Sequence, residues 1–282
     1  MGKITKEEIF IDSAGQHIHL DIFNNAGEKK SIVFFPGTGA ASEFYATFLE
    51  AVAYKGFNVI GIDPLGHGHS SGKKGDFTMQ QLLVNLKDAV VYAKQKFSGK
   101  VGIMGSSQGG IVVYYAALEG VEVDAVVAHN AALVYKDFLN IVKNPGLYKR
   151  ILPVIDYLKT HFPFLKIPTS AYLNWKKVFN NPKMLKMFKE DKLFTGSYTL
   201  RAISSLKDYV PNIKGLPMPP TMIITGTNDE IIPKEVSERA FYELKGNLHT
   251  YVEIEGAAHM LLLEYMPQIL PRIEDWFSTR LG

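Results

Sequence analysis

The residue of this chain best placed for covalent chemistry is a serine in the stretch Gly105-Ser106-Ser107-Gln108-Gly109. Lys100-Val101-Gly102-Ile103-Met104 before it reads as a short apolar strand, and Ile111-Val112-Val113-Tyr114 after it as the start of a helix. Between strand and helix, Gly105-x-Ser107-x-Gly109 is a nucleophile elbow: a sharp turn that lifts a serine hydroxyl clear of the sheet, near a helix N-terminus. The flanking glycines leave room for strand and helix to approach. A serine hydroxyl is a weak nucleophile at neutral pH, so it needs a base within hydrogen-bond reach and a third group to orient that base. His259, in Gly256-Ala257-Ala258-His259, supplies a base. Asp229, in Gly226-Thr227-Asn228-Asp229, supplies the orienting carboxylate, with Glu230 beside it as the rival acid.

These three residues need a scaffold that brings distant parts of the chain to one edge. Ile32-Val33-Phe34-Phe35, Val59-Ile60-Gly61-Ile62, Val101–Met104, Val123–Ala128 and Thr221–Thr225 are short, mostly apolar runs bounded by turns, as strands buried on both faces of a parallel sheet require. Amphipathic segments of helical length lie between the first four, at 42–54, 78–97 and 108–119. A further strand at 250–254 and helices after residues 233 and 260 complete the alternation, with Pro267 and Pro271 bending or dividing the last helix. Residues 7–12 and 17–23 alternate and are joined by Ser13-Ala14-Gly15-Gln16, which predicts an antiparallel hairpin at the sheet edge. Strand and helix in alternation predict a mostly parallel, doubly wound α/β sheet, in which ligands bind beyond the carboxyl ends of the strands. Ser107, Asp229 and His259 each follow such an end. Pro36-Gly37-Thr38-Gly39 follows another, where glycines let backbone N–H groups face a ligand.

Composition narrows the alternatives. The 282 residues are 46% hydrophobic and 21% charged, an ordinary globular balance that argues against extensive disorder. With no cysteine there is no disulfide, thiolate metal site or cysteine nucleophile. The N-terminal residues hold no apolar run of signal-peptide length, so a cytoplasmic protein is expected. A net charge of +3 gives no reason to expect nucleic-acid binding. Asp63, His67 and His69 fall in one Gly- and Ser-rich loop, which reads as a structural turn rather than a metal site.

With these residues in view, the sequence resembles the α/β-hydrolase fold proteins, and within them the lid-bearing serine hydrolases similar to monoacylglycerol lipases, lysophospholipases and carboxylesterases. The resemblance rests on the elbow, on Asp63-Pro64-Leu65-Gly66-His67-Gly68-His69-Ser70, on the Asp229 turn with Pro233, and on Gly256–His259; it covers nearly the whole core. The order Ser, acid, His is the one that fold uses. The resemblance implies that Ser107 attacks an acyl carbonyl, that His259 shuttles the proton and that Asp229 fixes the imidazole. It also implies an oxyanion hole from the backbone N–H groups of Thr38 and Gln108. Relatives often carry His-Gly where this chain has Pro36-Gly37, so the support of that loop departs from the pattern. The expected activity is hydrolysis of a small-molecule carboxylic ester (a monoacylglycerol, a lysophospholipid or a small acyl ester) through an acyl-enzyme, with no cofactor and no metal. Thioester, amide or carbon–carbon bond cleavage would use the same residues, and a ligand-binding member of the fold would need none of them.

The pattern breaks between 134 and 212. Several short helical segments punctuated by six prolines predict a helical lid inserted into a core made of 1–133 and 213–282. This segment holds 14 Lys and Arg against 5 Asp and Glu, whereas the rest of the chain holds 17 against 23. Its many aromatic residues are expected mainly to pack the lid on the core, with some flooring an acyl pocket. His129 and Asn130, just before it, either line the pocket or form a structural pair. The basic excess predicts a solvated face, or a weak attraction to anionic amphiphiles and membrane surfaces. Hydrolysis of a neutral and an anionic ester of equal chain length tests the attraction: added salt should slow only the anionic one, and equal salt dependence would rule it out.

Overall fold

The computed structural model describes residues 3–213 and 218–282. Ten strands are present among them: β1 (Ile4–Ser13), β2 (Gln16–Asn25), β3 (Ser31–Phe35), β4 (Asn58–Ile62), β5 (Val101–Ser106), β6 (Ala125–His129), β7 (Lys166–Pro168), β8 (Ser197–Thr199), β9 (Thr221–Gly226) and β10 (Thr250–Ile254). Eight form one sheet in the order β1-β2-β4-β3-β5-β6-β9-β10. Within that sheet, among the described residues, only the β1–β2 and β2–β4 pairs are antiparallel. The predicted hairpin is longer than the sequence suggested, because Ser13 pairs with Gln16 and leaves only Ala14-Gly15 as its loop. Both have positive φ, 51° and 75°, which suits a two-residue hairpin following the twist of its strands.

The core helices are α1 (Ala46–Ala53), preceded by a 3-10 turn at Ser42–Tyr45, then α2 (Met79–Phe97) and α3 (Gln108–Leu118). Thr78 caps α2 by accepting from the Gln81 N–H, and the helix buries one face through Leu82, Leu86, Ala89 and Ala93. One expectation fails here: α3 is not amphipathic. Every residue from Gln108 to Leu118 is buried, because α3 packs under the centre of the sheet and is covered on its other side.

Between β6 and β9 the chain leaves the sheet. Here lie α4 (Val134–Ile141), α5 (Pro145–His161), α6 (Trp175–Val178), α7 (Pro182–Glu190) and α8 (Leu200–Asp208). The sequence pattern did not foreshadow the antiparallel ribbon that β7 and β8 form among these helices, each strand being only three residues long. Beyond β9 come α9 (Lys234–Tyr242), α10 (Leu261–Glu264) and α11 (Met266–Leu281), with Pro267 in the first turn of α11 and Pro271 inside it. No described helix is long and apolar enough to cross a membrane.

The parallel arrangement sets the carboxyl ends of β3, β5, β6, β9 and β10 along one edge, at Phe35, Ser106, His129, Gly226 and Ile254. Three glycines let the central ends come together. A Cβ on Gly109 would overlap the carbonyl oxygens of Phe35 and Pro36, one on Gly105 would overlap that of Gly109, and one on Gly110 that of His129. Backbone cannot yield as a flexible side chain can. Gly109→Ala is therefore expected to cost at least about 3 kcal/mol in urea unfolding. Gly146→Ala, in α5 with open space around the position, should be neutral or stabilising by about 0.5–1 kcal/mol.

Candidate active site

Ser107 occupies the turn between β5 and α3 with φ 54° and ψ −115°, a conformation that L-residues rarely adopt. The turn is pinned on both sides. Its N–H donates to the His129 carbonyl at 3.0 Å, and its carbonyl accepts from the Ile111 N–H at 3.0 Å. Behind it the buried Ser106 hydroxyl meets the Tyr45 hydroxyl at 3.2 Å and His129 Nδ1 at 3.1 Å.

His259 follows β10, with Nε2 2.9 Å from Ser107 Oγ and Nδ1 2.8 Å from Asp229 Oδ2. The carboxylate of Asp229 is saturated. Oδ1 accepts from the N–H groups of Ile231 and Ile232 at 2.8 and 2.9 Å, and Oδ2 from Asn130 Nδ2 at 2.8 Å as well as from the imidazole. An ionised carboxylate only accepts, so the imidazole proton sits on Nδ1 and the Nε2 lone pair faces Ser107. Burial alone would raise the Asp229 pKa; attraction and hydrogen bonding from His259 and the two backbone N–H groups outweigh it and hold the carboxyl below its ordinary range. Glu230, the rival acid, points outward to pair with Lys177.

Thr38 and Gln108 both line a cavity beside Ser107, and Thr38 Oγ1 donates to Gln108 Oε1 at 3.1 Å. Gln108 opens α3, so its N–H is one of the helix's unpaired donors. The cavity, about 110 Å³, has walls from Met79 and Ile111 of the core, Ile231 and Ile232 beside Asp229, and Phe138, Tyr172, Ile203 and Leu206 of the inserted segment. A second cavity of about 260 Å³ shares Phe138, Val142, Tyr172, Ile203 and Lys207 with it and runs under α5. The aromatic residues of the insert thus divide. Phe138, Tyr148 and Tyr172 face the cavities; Trp175, Phe179, Phe188 and Phe194 stack together, with Phe179 and Phe188 on Phe44; Tyr157, Phe162 and Phe164 are exposed.

His129 and Asn130 are fully buried and neither lines these cavities. Asn130, at φ 60°, bridges Thr225 Oγ1 and Asp229 Oδ2, a role its place at the end of β6, beside β9, hinted at without specifying. Asp63 and His67 do not converge on a metal position. Asp63 accepts from the Ser42 and His69 N–H groups and meets His19 Nδ1 at 3.1 Å, while His67 turns to Leu65 O and the Tyr198 hydroxyl. His19, Asp21 and Asp63 do bring ligand-type atoms within 4.8 Å of one another, each already bonded inside the protein.

A serine in a strained strand-to-helix turn, bonded to a histidine that is bonded to a buried aspartate, on a mostly parallel sheet, defines the chain as an α/β-hydrolase fold protein. Residues 26–265 match the hydrolase family described as serine aminopeptidase, S33, and the chain belongs to that family. It is 25% identical over 264 residues to a monoglyceride lipase homolog of monkeypox virus, spanning 89% of this chain and 91% of that protein. The crystal structure of a monoacylglycerol lipase from Paleococcus ferrophilus superposes with a TM-score of 0.72 at 23% identity, over 99% of both chains. A soluble variant of the Saccharomyces cerevisiae monoglyceride lipase gives 0.80 at 15% identity, over 98% of this chain and 96% of that one. At these identities the two structures speak for the fold.

The buried histidines generate a pH dependence. Burial pushes His67 down to about 4; burial, with repulsion from His259, pushes His129 down to about 3. Both folded values lie below the ordinary value of about 6.5, so the stability they carry is complete above that pH and is lost as pH falls toward the folded values. His19 is raised, burial being outweighed by Asp63, so the stability it carries is complete below about pH 6.5 and is lost only as pH rises above that value; it leaves the acid limb to the other two. Urea unfolding between pH 6 and 4 should lose up to about 1.4 kcal/mol per pH unit for each of the two depressed histidines. His67→Gln should roughly halve that slope.

Proposed function

We propose that the chain is a carboxylic ester hydrolase in which Ser107 forms an acyl-enzyme, His259 acts as general base and then general acid, and Asp229 holds the imidazole. The carrying observation is the continuous hydrogen-bonded line from Ser107 Oγ through His259 to Asp229 Oδ2, opening on an apolar cavity. Ser107 Oγ attacks the ester carbonyl while His259 Nε2 takes its proton. The oxyanion receives the backbone N–H groups of Thr38 and Gln108, where each such donor contributes about 3–4 kcal/mol to the transition state. His259 returns the proton to the leaving alcohol, and water repeats the sequence on the acyl-enzyme. Asp229 stays ionised throughout and stabilises the imidazolium.

The cavity walls favour an ester with an apolar acyl group. Among the described residues Lys207 is the one charged residue in them, and the adjoining space under α5 extends the apolar surface away from Ser107. Residues 134–212 act as the lid that closes this space, since α4, α8 and Tyr172 supply much of its wall. The monoglyceride lipase relatives support a monoacylglycerol or a similar single-chain ester as substrate. Exposed Leu147, Val154, Tyr157, Phe162 and Phe164, close in sequence to Lys149, Arg150, Lys159 and Lys166, support a weak contact of the lid with an anionic lipid surface.

Ser107→Ala is expected to abolish labelling by a fluorophosphonate probe and to lower ester hydrolysis by at least about 10⁴-fold. Asp229→Asn should lower kcat by about 10⁴-fold through the wrong imidazole tautomer. A panel of glycerol esters, thioesters and anilides of equal acyl length should show the esters turned over fastest. Undiminished labelling of Ser107→Ala, or an anilide preferred over the ester, would overturn the assignment.

A further inference from the structure

The loop Gly37-Thr38-Gly39-Ala40 is a turn closed by the Ala40 N–H on the Gly37 carbonyl at 3.1 Å, with Gly39 at φ 73°. Positive φ at the third position of such a turn turns the Gly39 N–H away from the loop's own carbonyls, so it needs a partner from elsewhere. That partner is Tyr198 on β8, whose hydroxyl oxygen lies 2.7 Å away. The Gly39 carbonyl is held from the same segment, by the Thr195 N–H at 2.9 Å. A Cβ on Gly39 would press on the Phe194 ring and the Thr195 carbonyl, so this contact is as close as backbone allows.

The proton count around Tyr198 leaves one arrangement. His67 Nδ1 faces the Leu65 carbonyl at 3.1 Å and must carry the proton there, because a carbonyl only accepts. The ring is fully buried and neutral, so Nε2, 2.8 Å from the Tyr198 hydroxyl, is a lone pair. Tyr198 therefore donates to His67, and its oxygen is free to receive the Gly39 N–H. Gln108 Oε1, 3.4 Å from the same hydroxyl, takes its proton from Thr38 Oγ1 instead. The strand carrying Tyr198 is itself fixed to the core: Thr199 donates to the Gly75 carbonyl at 2.9 Å and, through Oγ1, to Asp76 at 2.9 Å. Arg201 holds the same carboxylate.

We propose that Tyr198, oriented by His67, is a positioning residue for the oxyanion loop: the inserted segment, not the core alone, fixes the Thr38 N–H against Ser107. The proposal rests on the assignment of Thr38 as an oxyanion donor. It supplies the support that the Pro36-Gly37 sequence leaves unexplained.

Tyr198→Phe keeps the ring and removes the hydroxyl. Deleting an oxyanion donor outright costs about 10²–10³ in kcat, so loosening one is expected to lower kcat about 10-fold. KM should stay within about twofold, because ground-state binding of the acyl group does not use the loop N–H. A trifluoromethyl ketone of the same chain length, which forms a tetrahedral oxyanion on the serine, should weaken by the same factor as kcat. His67→Phe, which removes the acceptor for the tyrosine proton, should act in the same direction, and His67→Gln, which retains one, should act less. An unchanged kcat in Tyr198→Phe, or a fall in kcat matched by a rise in KM with unaltered ketone affinity, would overturn the proposal. Hydrolysis that survives Ser107→Ala would instead overturn the assignment beneath it.

Discussion

Everything at the site depends on backbone packed directly against backbone. The ends of β3, β5 and β6 approach so closely that the carbonyls of Phe35, Pro36 and His129 rest on glycine Cα atoms of the elbow and the first turn of α3. That contact allows Ser107 to be held at φ 54°, because the His129 carbonyl captures its N–H from one side while α3 takes its carbonyl from the other. A conformation of this kind costs about 1–3 kcal/mol and persists only where its surroundings over-determine it. Here the surroundings are main chain, which no rotamer change can relax.

The acid and the histidine are joined by the same means. The Thr227 N–H donates to the Ile254 carbonyl and the Asn228 N–H to the Ala257 carbonyl, at 3.1 and 2.9 Å, so the loops after β9 and β10 are tied before any side chain is considered. A Cβ on Gly226 would overlap the Ala257 carbonyl. Asp229 and His259 therefore arrive as a unit, and Asn130 fastens that unit to the end of β6, whose His129 carbonyl fastens Ser107. His259 and Asp229 are almost wholly withdrawn from water, which strengthens the field each exerts on the other.

What the sequence makes legible is local. Apolar runs of four to six residues mark most of the parallel strands, and Ser107, Asp229 and His259 are each visible because a turn signature follows a strand-like run. Edge contacts between elements are not visible. Tyr198 meets Gly39 across 159 positions and His67 across 131, from a strand too short to show any alternation. The loop Asp63–His69 attracts notice as two histidines beside an aspartate, yet its chemistry lies in which nitrogen carries a proton, a matter of packing alone. The helix after Ser107 misleads for a related reason: burial on every side follows from its central position under the sheet, while its Gln108, Gly109, Gly110 and tyrosines blur the apolar pattern that would have announced it. The charge asymmetry of 134–212 is plain in the sequence, but the exposed apolar side chains beside it emerge only once α5 is seen to bury none of its residues.

The attachment of β8 to Gly75 and Asp76 divides the inserted segment into two parts of different kind. From α4 to α7, and again along α8, it supplies walls of the space beside Ser107; the short stretch from Phe194 to Thr199 is bracing for the loop after β3. A chimera between relatives that exchanges specificity therefore has to replace α8 as well as the part before Asp191, and to leave the bracing between them in place. Substitutions on either side of that bracing can reshape the cavity while the loop after β3 keeps its support.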